Sequence, residues 1–521
     1  MANSSNIQSC LTLFLRDHSK ITRANLYNLK KDWAKHIGYI PKDSELLTAY
    51  KELLAKNLLS ANPSLASLLQ TRAVRSQSGV TPLAVMTKPY VCPGLCTFCP
   101  LELGMPKSYL SDEPAAARAK KFNFDPALQI DSRLKQLRVT GHLIDKIELI
   151  VIGGTFSNYP EIYKREFFHS MIDTVNGKKS ADLQAAQVAN EKAARRIVGI
   201  SVETRPDWVD KNEVKLLREL GVTKVQLGVQ AFDEQILARI KRGHTLEAVR
   251  DATQLLKNAG FKICYHFMPN LPGSTPQKDV EMARLMYEDP GFRPDFLKVY
   301  PAQVIPQTEL FREWEKGEYV PYSDKLLKDV LKDIVKITPS WVRIDRLVRD
   351  ISKKWVAAGT HTTNMRQAVE KELIEEGTPC RCIRCREIKA RDFADPPKIN
   401  DELIETRGGK EHLLTFVKDD SLYSLLRLRL PDDKEDVLFP ALQKAAIIRE
   451  LHTFGRAVSV GAQSQRQTQH QGLGLRLVGH AELLAKKAGF PKIAVISAIG
   501  TKDYYRKLGY RKDGLYMTKL L

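Results

Sequence analysis

Three cysteines stand within eight positions of the segment VCPGLCTFCP: Cys92, Cys96 and Cys99, spaced C-x3-C-x2-C. Three thiolates need a fourth ligand to complete a tetrahedral zinc site. They can instead hold three irons of a cubane iron–sulfur cluster and leave the fourth iron open to a substrate or cofactor. A second triplet, Cys380, Cys382 and Cys385, is spaced C-x-C-x2-C and flanked by Arg381, Arg384 and Arg386. That density favours zinc, and its place between two folded units suggests a structural clip; no fourth ligand is evident. The chain has eight cysteines, of which only Cys10 and Cys264 lie outside the triplets. Disulfide frameworks belong to small secreted chains, so metal ligation is the better reading of both clusters.

Other motifs sit where a ligand could approach backbone. Gly153, Gly154 and Thr155 belong to GGTF, directly after an apolar run; Glu203 closes another run, and Gln226 and Gln230 flank a third. Each alone reads as a turn or a buried polar group. At successive strand ends they support one site. Near the C-terminus, Gln469, His470, Gln471, Gly472, Leu473 and Gly474 spell Q-x-x-G-x-G ahead of a helix expected over 473–488. Backbone N–H groups at a glycine-rich helix start form an anion site. Tyr504 and Tyr505 follow in KDYYRKLGY.

The elements that must position these residues are legible in part. Short apolar runs at 82–86, 147–152, 197–202, 224–229, 262–267 and 296–300 alternate with helical stretches, as parallel βαβ units do. The segment is shorter than an eight-fold barrel, so the expectation is a partial (β/α)6 barrel with its chemistry at the strand C-termini. Residues 176–196 read as a polar, mobile excursion containing a helix, and ADPPKIND marks a linker by its prolines. A second, smaller α/β unit follows. The expected division is a basic helical segment over 1–75, the barrel over 76–340, a linker with the second triplet over 341–395, and the C-terminal unit over 396–521.

Lysine and arginine number 81 against 61 acidic residues, a net charge of +20. Such an excess speaks of partners, nucleic acid first among them, with a generally basic surface as the plainer alternative. In the first 75 residues Lys20, Arg23, Lys30, Lys31, Lys35, Lys51 and Lys56 are interleaved with Trp33 and Tyr39. No apolar run reaches the roughly 18–20 residues that span a bilayer, and the N-terminus lacks a secretory signal, so no membrane partner and a cytoplasmic location are expected. A homodimer is compatible with the sequence.

The triplet Cys92, Cys96 and Cys99, with Phe98 before the last thiol and a barrel around it, resembles the radical S-adenosylmethionine superfamily. The Q-x-x-G-x-G loop, its flanking strands and KDYYRKLGY resemble the GNAT acetyltransferase fold. The combination, with GGTFSNYPEIY and the C-terminal GTKDYYRKLGYRKDGLYMTKLL, is similar to the family of the Elongator catalytic subunit from about residue 75 to the end. The compact cysteine spacing suggests a bacterial or archaeal type. The resemblance implies a [4Fe-4S] cluster on Cys92, Cys96 and Cys99. It implies S-adenosylmethionine against Gly153, Gly154, Thr155, Glu203, Gln226 and Gln230. Acetyl-coenzyme A falls to residues 469–474 and to Tyr504 and Tyr505 near the thioester. The implied activity is radical addition of a carboxymethyl group, derived from acetyl-coenzyme A, to carbon 5 of the wobble uridine in the tRNA anticodon stem-loop. Rival readings are a protein lysine acetyltransferase with a scaffold barrel, a non-catalytic tRNA-binding scaffold, and another radical enzyme such as a methylthiotransferase.

Overall fold

The computed structural model describes residues 7–9, 11–12, 22–70, 79–362, 364–388, 397–433, 437–455 and 472–521. Seven strands, β1 (Thr81–Met86), β2 (Lys146–Ile152), β3 (Arg196–Thr204), β4 (Lys224–Gln230), β5 (Lys262–Phe267), β6 (Phe296–Val299) and β7 (Arg343–Leu347), pair in chain order. Every pairing is parallel and no strand joins β1 to β7, so the sheet is an open, partial barrel. It has one strand more than the six expected. β7 reads R-I-D-R-L, too charged for an apolar run, because Arg343 and Asp345 line the barrel cavity.

The outer face of the sheet carries the core. Along β2, Ile147, Leu149 and Val151 are buried while Lys146, Glu148, Ile150 and Ile152 are only half-buried, the period-two alternation of a strand. Covering helices follow the matching rule. Leu246–Asn258 starts at Thr245, whose side chain accepts from the Ala248 amide, and buries Val249, Ala252, Thr253 and Leu256 at helical spacing. Gly260 at φ +86° then turns the chain into β5.

The inner face is different. Where a closed barrel packs apolar layers, this lumen is polar at every level. Glu148, Lys224, Lys262 and Arg343 lie at the strand starts, Gln226, Lys298 and Asp345 midway, and Glu203, His266 and Tyr300 at the strand ends; all line a cavity of ≈ 2320 Å³.

A second sheet has the order β13-β14-β12-β11-β10-β9-β8, from β8 (Lys398–Thr406), β9 (Gly409–Lys418), β10 (Ser421–Pro431), β11 (Ala445–Thr453), β12 (Lys492–Val495), β13 (Arg511–Asp513) and β14 (Tyr516–Leu520). The β11–β12 pair alone is parallel. This unit docks on the strand-start end of the barrel. Tyr516 Oη donates to the Ala259 carbonyl (2.8 Å), Arg218 Nη2 to Leu515 (2.7 Å) and Arg449 Nη2 to Phe261 (2.6 Å). The excursion over 176–196 contains the expected helix, Leu183–Asn190, and is tied down rather than loose. Its Glu191 pairs with Lys502 (3.0 Å) and Arg506 (2.6 Å) of the C-terminal unit.

Helices Arg23–Ile37, Asp43–Ala55 and Pro63–Leu69 form a separate small core around Leu26, Leu46, Tyr50, Leu53 and Leu65. Trp33, read as part of a basic–aromatic surface, belongs to that core. Among the described residues no helix is long and apolar enough to cross a membrane.

A candidate active site spanning both units

The cysteine loop leaves the end of β1 at the rim formed by the strand C-termini. Cys92, Cys96 and Cys99 all line the cavity. The loop is pinned by backbone bonds, Thr97 N–H to the Ile240 carbonyl (3.1 Å) and Leu310 N–H to the Thr97 carbonyl (3.0 Å). Cys92 Sγ lies 3.8 Å from Thr155 Oγ1, so the GGTF segment touches the loop. A hydrogen bond from Cys99, with Arg242 and Arg205 nearby, holds Cys96 down at about 5 against the opposing effect of burial; Cys99 itself is pushed up.

The segment after β2 is shaped by its glycines. Gly153 has φ +137°, and a Cβ there would lie 2.0 Å from Thr87 Oγ1. Gly154, at φ +96°, faces the cavity. At the end of β3, Glu203 accepts from the Tyr109 hydroxyl and sits 3.6 Å from Lys298. Gln226 donates to Ser201 Oγ (3.1 Å) and approaches His266 Nε2 at 3.3 Å. Burial, with Lys298 and Arg349 close by, keeps His266 neutral. Gln230 ends β4 in a left-handed conformation, φ +75°. Gly154, Glu203, Gln226, Gln230, His266 and Lys298 line the same cavity, with Tyr300 beside them; Gly153 does not.

The other end of the cavity is built by the C-terminal unit. β11 runs to Thr453, past its last pair with β12 at Ile448–Val495, so the two strands part and open a wedge. Gly472, at φ +75°, caps helix Leu473–Lys487. Gly474 lets Tyr504 approach: a Cβ on it would stand 3.0 Å from Tyr504 Oη and 3.7 Å from Leu451 Cδ2. Leu451, Thr453, Gly472, Leu473, Gly474 and Tyr504 line the cavity that the cysteine loop also lines. The tyrosine pair divides its work. Tyr504 is 38% exposed, whereas Tyr505 is buried edge-on between Tyr504 and Tyr510. Burial pushes the Tyr504 hydroxyl up to about 12, so it is a donor at neutral pH. Gln469, His470 and Gln471 lie outside the described residues.

Comparison with known proteins agrees with this geometry. The Radical SAM superfamily model matches residues 86–286, and the Radical_SAM C-terminal domain model matches 294–375. A tRNA uridine(34) acetyltransferase of Dehalococcoides mccartyi is 40% identical over 86% of this chain and 99% of its own length. Human Elongator complex protein 3 is 35% identical over 92% of this chain and 94% of its own length. The chain belongs to the Elongator complex protein 3 family. Its structure is similar to that of an N-terminally truncated Elp3 from the archaeon Methanocaldococcus infernus, with a TM-score of 0.74 at 38% identity, covering 85% of this chain and 99% of that one.

Within this family's architecture the two cysteine triplets differ in kind. Cys380, Cys382 and Cys385 bring three sulfurs within 4.8 Å of one another, the one such group among the described residues. Tetrahedral zinc with Zn–S near 2.3 Å sets its sulfurs about 3.8 Å apart, so this spacing fits a single ion. Glu370, which the sequence reading did not reach, stands beside them with Oε1 3.3 Å from Cys385 Sγ. The first triplet does not converge to that distance. A [4Fe-4S] cubane takes each thiolate on a separate iron, so its thiolates stand splayed around it. Arg205, Arg242 and Lys107, the last donating to the Gly94 carbonyl, surround that loop with positive charge suited to such an anionic group. Nothing in their local sequence marks these three cations: Lys107 lies beyond the cysteines in the same connection, Arg205 just past β3, and Arg242 ahead of helix Leu246–Asn258.

Proposed function

We propose that this protein modifies the wobble uridine of tRNA by a radical route, adding a carboxymethyl group derived from acetyl-coenzyme A to carbon 5. The observation that carries the reading is the single cavity lined both by Cys92, Cys96 and Cys99 and by Gly472, Gly474 and Tyr504. An acetyltransferase with a scaffold barrel has no use for a lumen open from one site to the other.

Cys92, Cys96 and Cys99 would hold a [4Fe-4S] cluster, which together with S-adenosylmethionine supplies carbon-centred radical chemistry. The residues of the chain bind, orient and exclude water. Gly153, Gly154 and Thr155 let backbone approach the methionine end of the cofactor, while Glu203, Gln226 and Gln230 offer hydrogen bonds at successive strand ends. Gly472, Leu473 and Gly474, at the helix start, would present amides to the coenzyme A pyrophosphate. Tyr504 donates its proton toward the thioester, and Tyr505 fixes its ring. The target base must leave its stack, which a single-stranded anticodon loop makes inexpensive. Basic groups of the N-terminal helices and the exposed Lys353 and Lys354 would meet phosphates, so tRNA binding should weaken steeply with salt. Zinc on Cys380, Cys382 and Cys385 would clip the segment between the two units; metal analysis should find it in the intact chain and lost in Cys382→Ser.

The test is anaerobic incubation of reconstituted protein with tRNA, dithionite, S-adenosylmethionine and acetyl-coenzyme A, followed by nucleoside mass spectrometry. The reading expects 5-carboxymethyluridine. Unmodified tRNA from protein carrying a full iron complement would overturn it.

A further inference from the structure

Two buried guanidinium groups flank the cysteine loop, and each turns a nitrogen toward it. Arg242 is 6% exposed; its Nε donates to the Gly228 carbonyl at 3.0 Å, and Nη1 points at Cys96 Sγ from 3.5 Å. Gly228 makes room, since a Cβ there would lie 2.8 Å from Arg242 Nη2. Arg205, just past the end of β3, is 5% exposed and gives Nε and Nη2 to Asp207 at 3.0 and 2.8 Å. Its third nitrogen, Nη1, is buried without a hydrogen-bond partner, 2.4 Å from where a Cβ on Gly94 would stand. Gly94 lies between Cys92 and Cys96, so this orphaned donor is aimed at the loop that carries the thiols.

Arg205, Arg242 and Lys107 all reach the loop, Asp207 pairs with Arg205, and buried His244 is held neutral. Arg242 spends Nε and Nη2 on the Gly228 carbonyl and gives Nη1 to the Cys96 sulfur, while Arg205 keeps one buried donor unpaired. A cubane on three thiolates is an anion whose charge grows by one on reduction, and net charge and hydrogen bonds to sulfur are what set its potential. Fixed positive charge in a buried site favours the more negative state.

We propose that Arg242 and Arg205 raise the reduction potential of the cluster, Arg242 through its contact with the Cys96 sulfur and Arg205 through the charge behind Gly94. They are positioning residues for the electron rather than for the substrate. The inference rests on the reading of Cys92, Cys96 and Cys99 as cluster ligands, and its test needs neither tRNA nor acetyl-coenzyme A.

The full chain is reconstituted anaerobically, its iron is counted, and the cluster is titrated against potential by electron paramagnetic resonance without S-adenosylmethionine. Arg242→Met should keep its iron, and its reduced-to-oxidised ratio at fixed potential should fall about tenfold, a shift of about 59 mV to the negative. Arg242→Lys, which keeps the charge, should recover most of the loss, and Arg205→Met should shift in the same direction. An unchanged potential in both methionine variants would overturn the proposal. So would equal shifts in Arg242→Met and Arg242→Lys, since that would mean shape rather than charge. Should Arg242→Met fail to hold iron, Arg205→Met decides alone. A wild-type chain that builds no cluster would instead refute the proposed function, so the two failures are distinguishable.

Discussion

Replacing Arg449 by methionine should loosen the join between the two units. Arg449 is fully buried and sits at a bulge in β11, where Arg427 faces Glu450 but Leu428 faces Ile448. Its guanidinium reaches Asp295 at 2.6 and 3.1 Å, Glu411 at 2.7 Å and the Phe261 carbonyl at 2.6 Å. Asp295 belongs to the barrel, where it also accepts from the Ile263 amide at the start of β5 (2.8 Å). Removing one partner of a buried ion pair costs about 3–5 kcal/mol, because the other charge is left uncompensated. Here Arg427 remains 3.5 Å from Asp295, and Lys257 remains 3.2 Å from Glu411. The residual pairing puts the expected loss at the lower end, ~3 kcal/mol. Burial pushes the Asp295 carboxyl up, but Arg449, Arg427 and Lys257 more than offset this and hold it well below the ordinary carboxylate range. A depressed carboxylate contributes stability that is present above its unfolded pKa, about 4, and lost as pH falls below it. The gap between wild type and Arg449→Met should therefore be full at pH 8 and narrow below pH 4. Urea unfolding followed by circular dichroism at both pH values measures it. Combining Arg449→Met with Asp295→Asn should give a coupling of about 1 kcal/mol or more. A single variant within about 1 kcal/mol of wild type at pH 8 would refute the network as the clamp.

Three further outcomes are expected. Gly474→Val, whose Cβ would meet Tyr504 Oη at 3.0 Å, should weaken acetyl-coenzyme A binding about tenfold or more by calorimetry while leaving S-adenosylmethionine binding unchanged. Gly153→Ala places a methyl 2.0 Å from Thr87 Oγ1 in a left-handed backbone; equilibrium dialysis should show S-adenosylmethionine affinity lost with iron content retained. Burial raises Glu148, but Lys224 at 2.6 Å more than offsets this and holds its carboxyl at about 2 against an ordinary 4.5. Its stabilisation is present above pH 4.5 and fades as pH falls toward 2; in Glu148→Gln acid unfolding should lose that component of its pH dependence.

How far the sequence could carry the fold depended on which face of an element made the signal. β1 to β6 were legible because their outward residues, such as Ile147, Leu149 and Val151, form apolar runs under helices. β7 was not, because three of its five residues, Arg343, Asp345 and Arg346, line the cavity. The cysteine spacing and the glycine loops pointed to residues at the two ends of the cavity, since metal ligation and close backbone approach demand fixed residue types at fixed offsets. The cations around the cysteine loop were not announced. Arg205 and Arg242 reach it from distant parts of the chain and Lys107 from the same connection, and only the fold brings the three together. Glu370 met the second triplet in the same way.

The most direct test of the shared cavity is an isotope experiment. Acetyl-coenzyme A deuterated in its methyl group is supplied to the reconstituted protein with tRNA and S-adenosylmethionine, and the 5′-deoxyadenosine formed is analysed by mass spectrometry. Deuterium in that product is predicted if, as proposed, Cys92, Cys96 and Cys99 would hold the radical-generating cluster and Gly474 and Tyr504 the acetyl donor. Unlabelled 5′-deoxyadenosine accompanying modified uridine would contradict it.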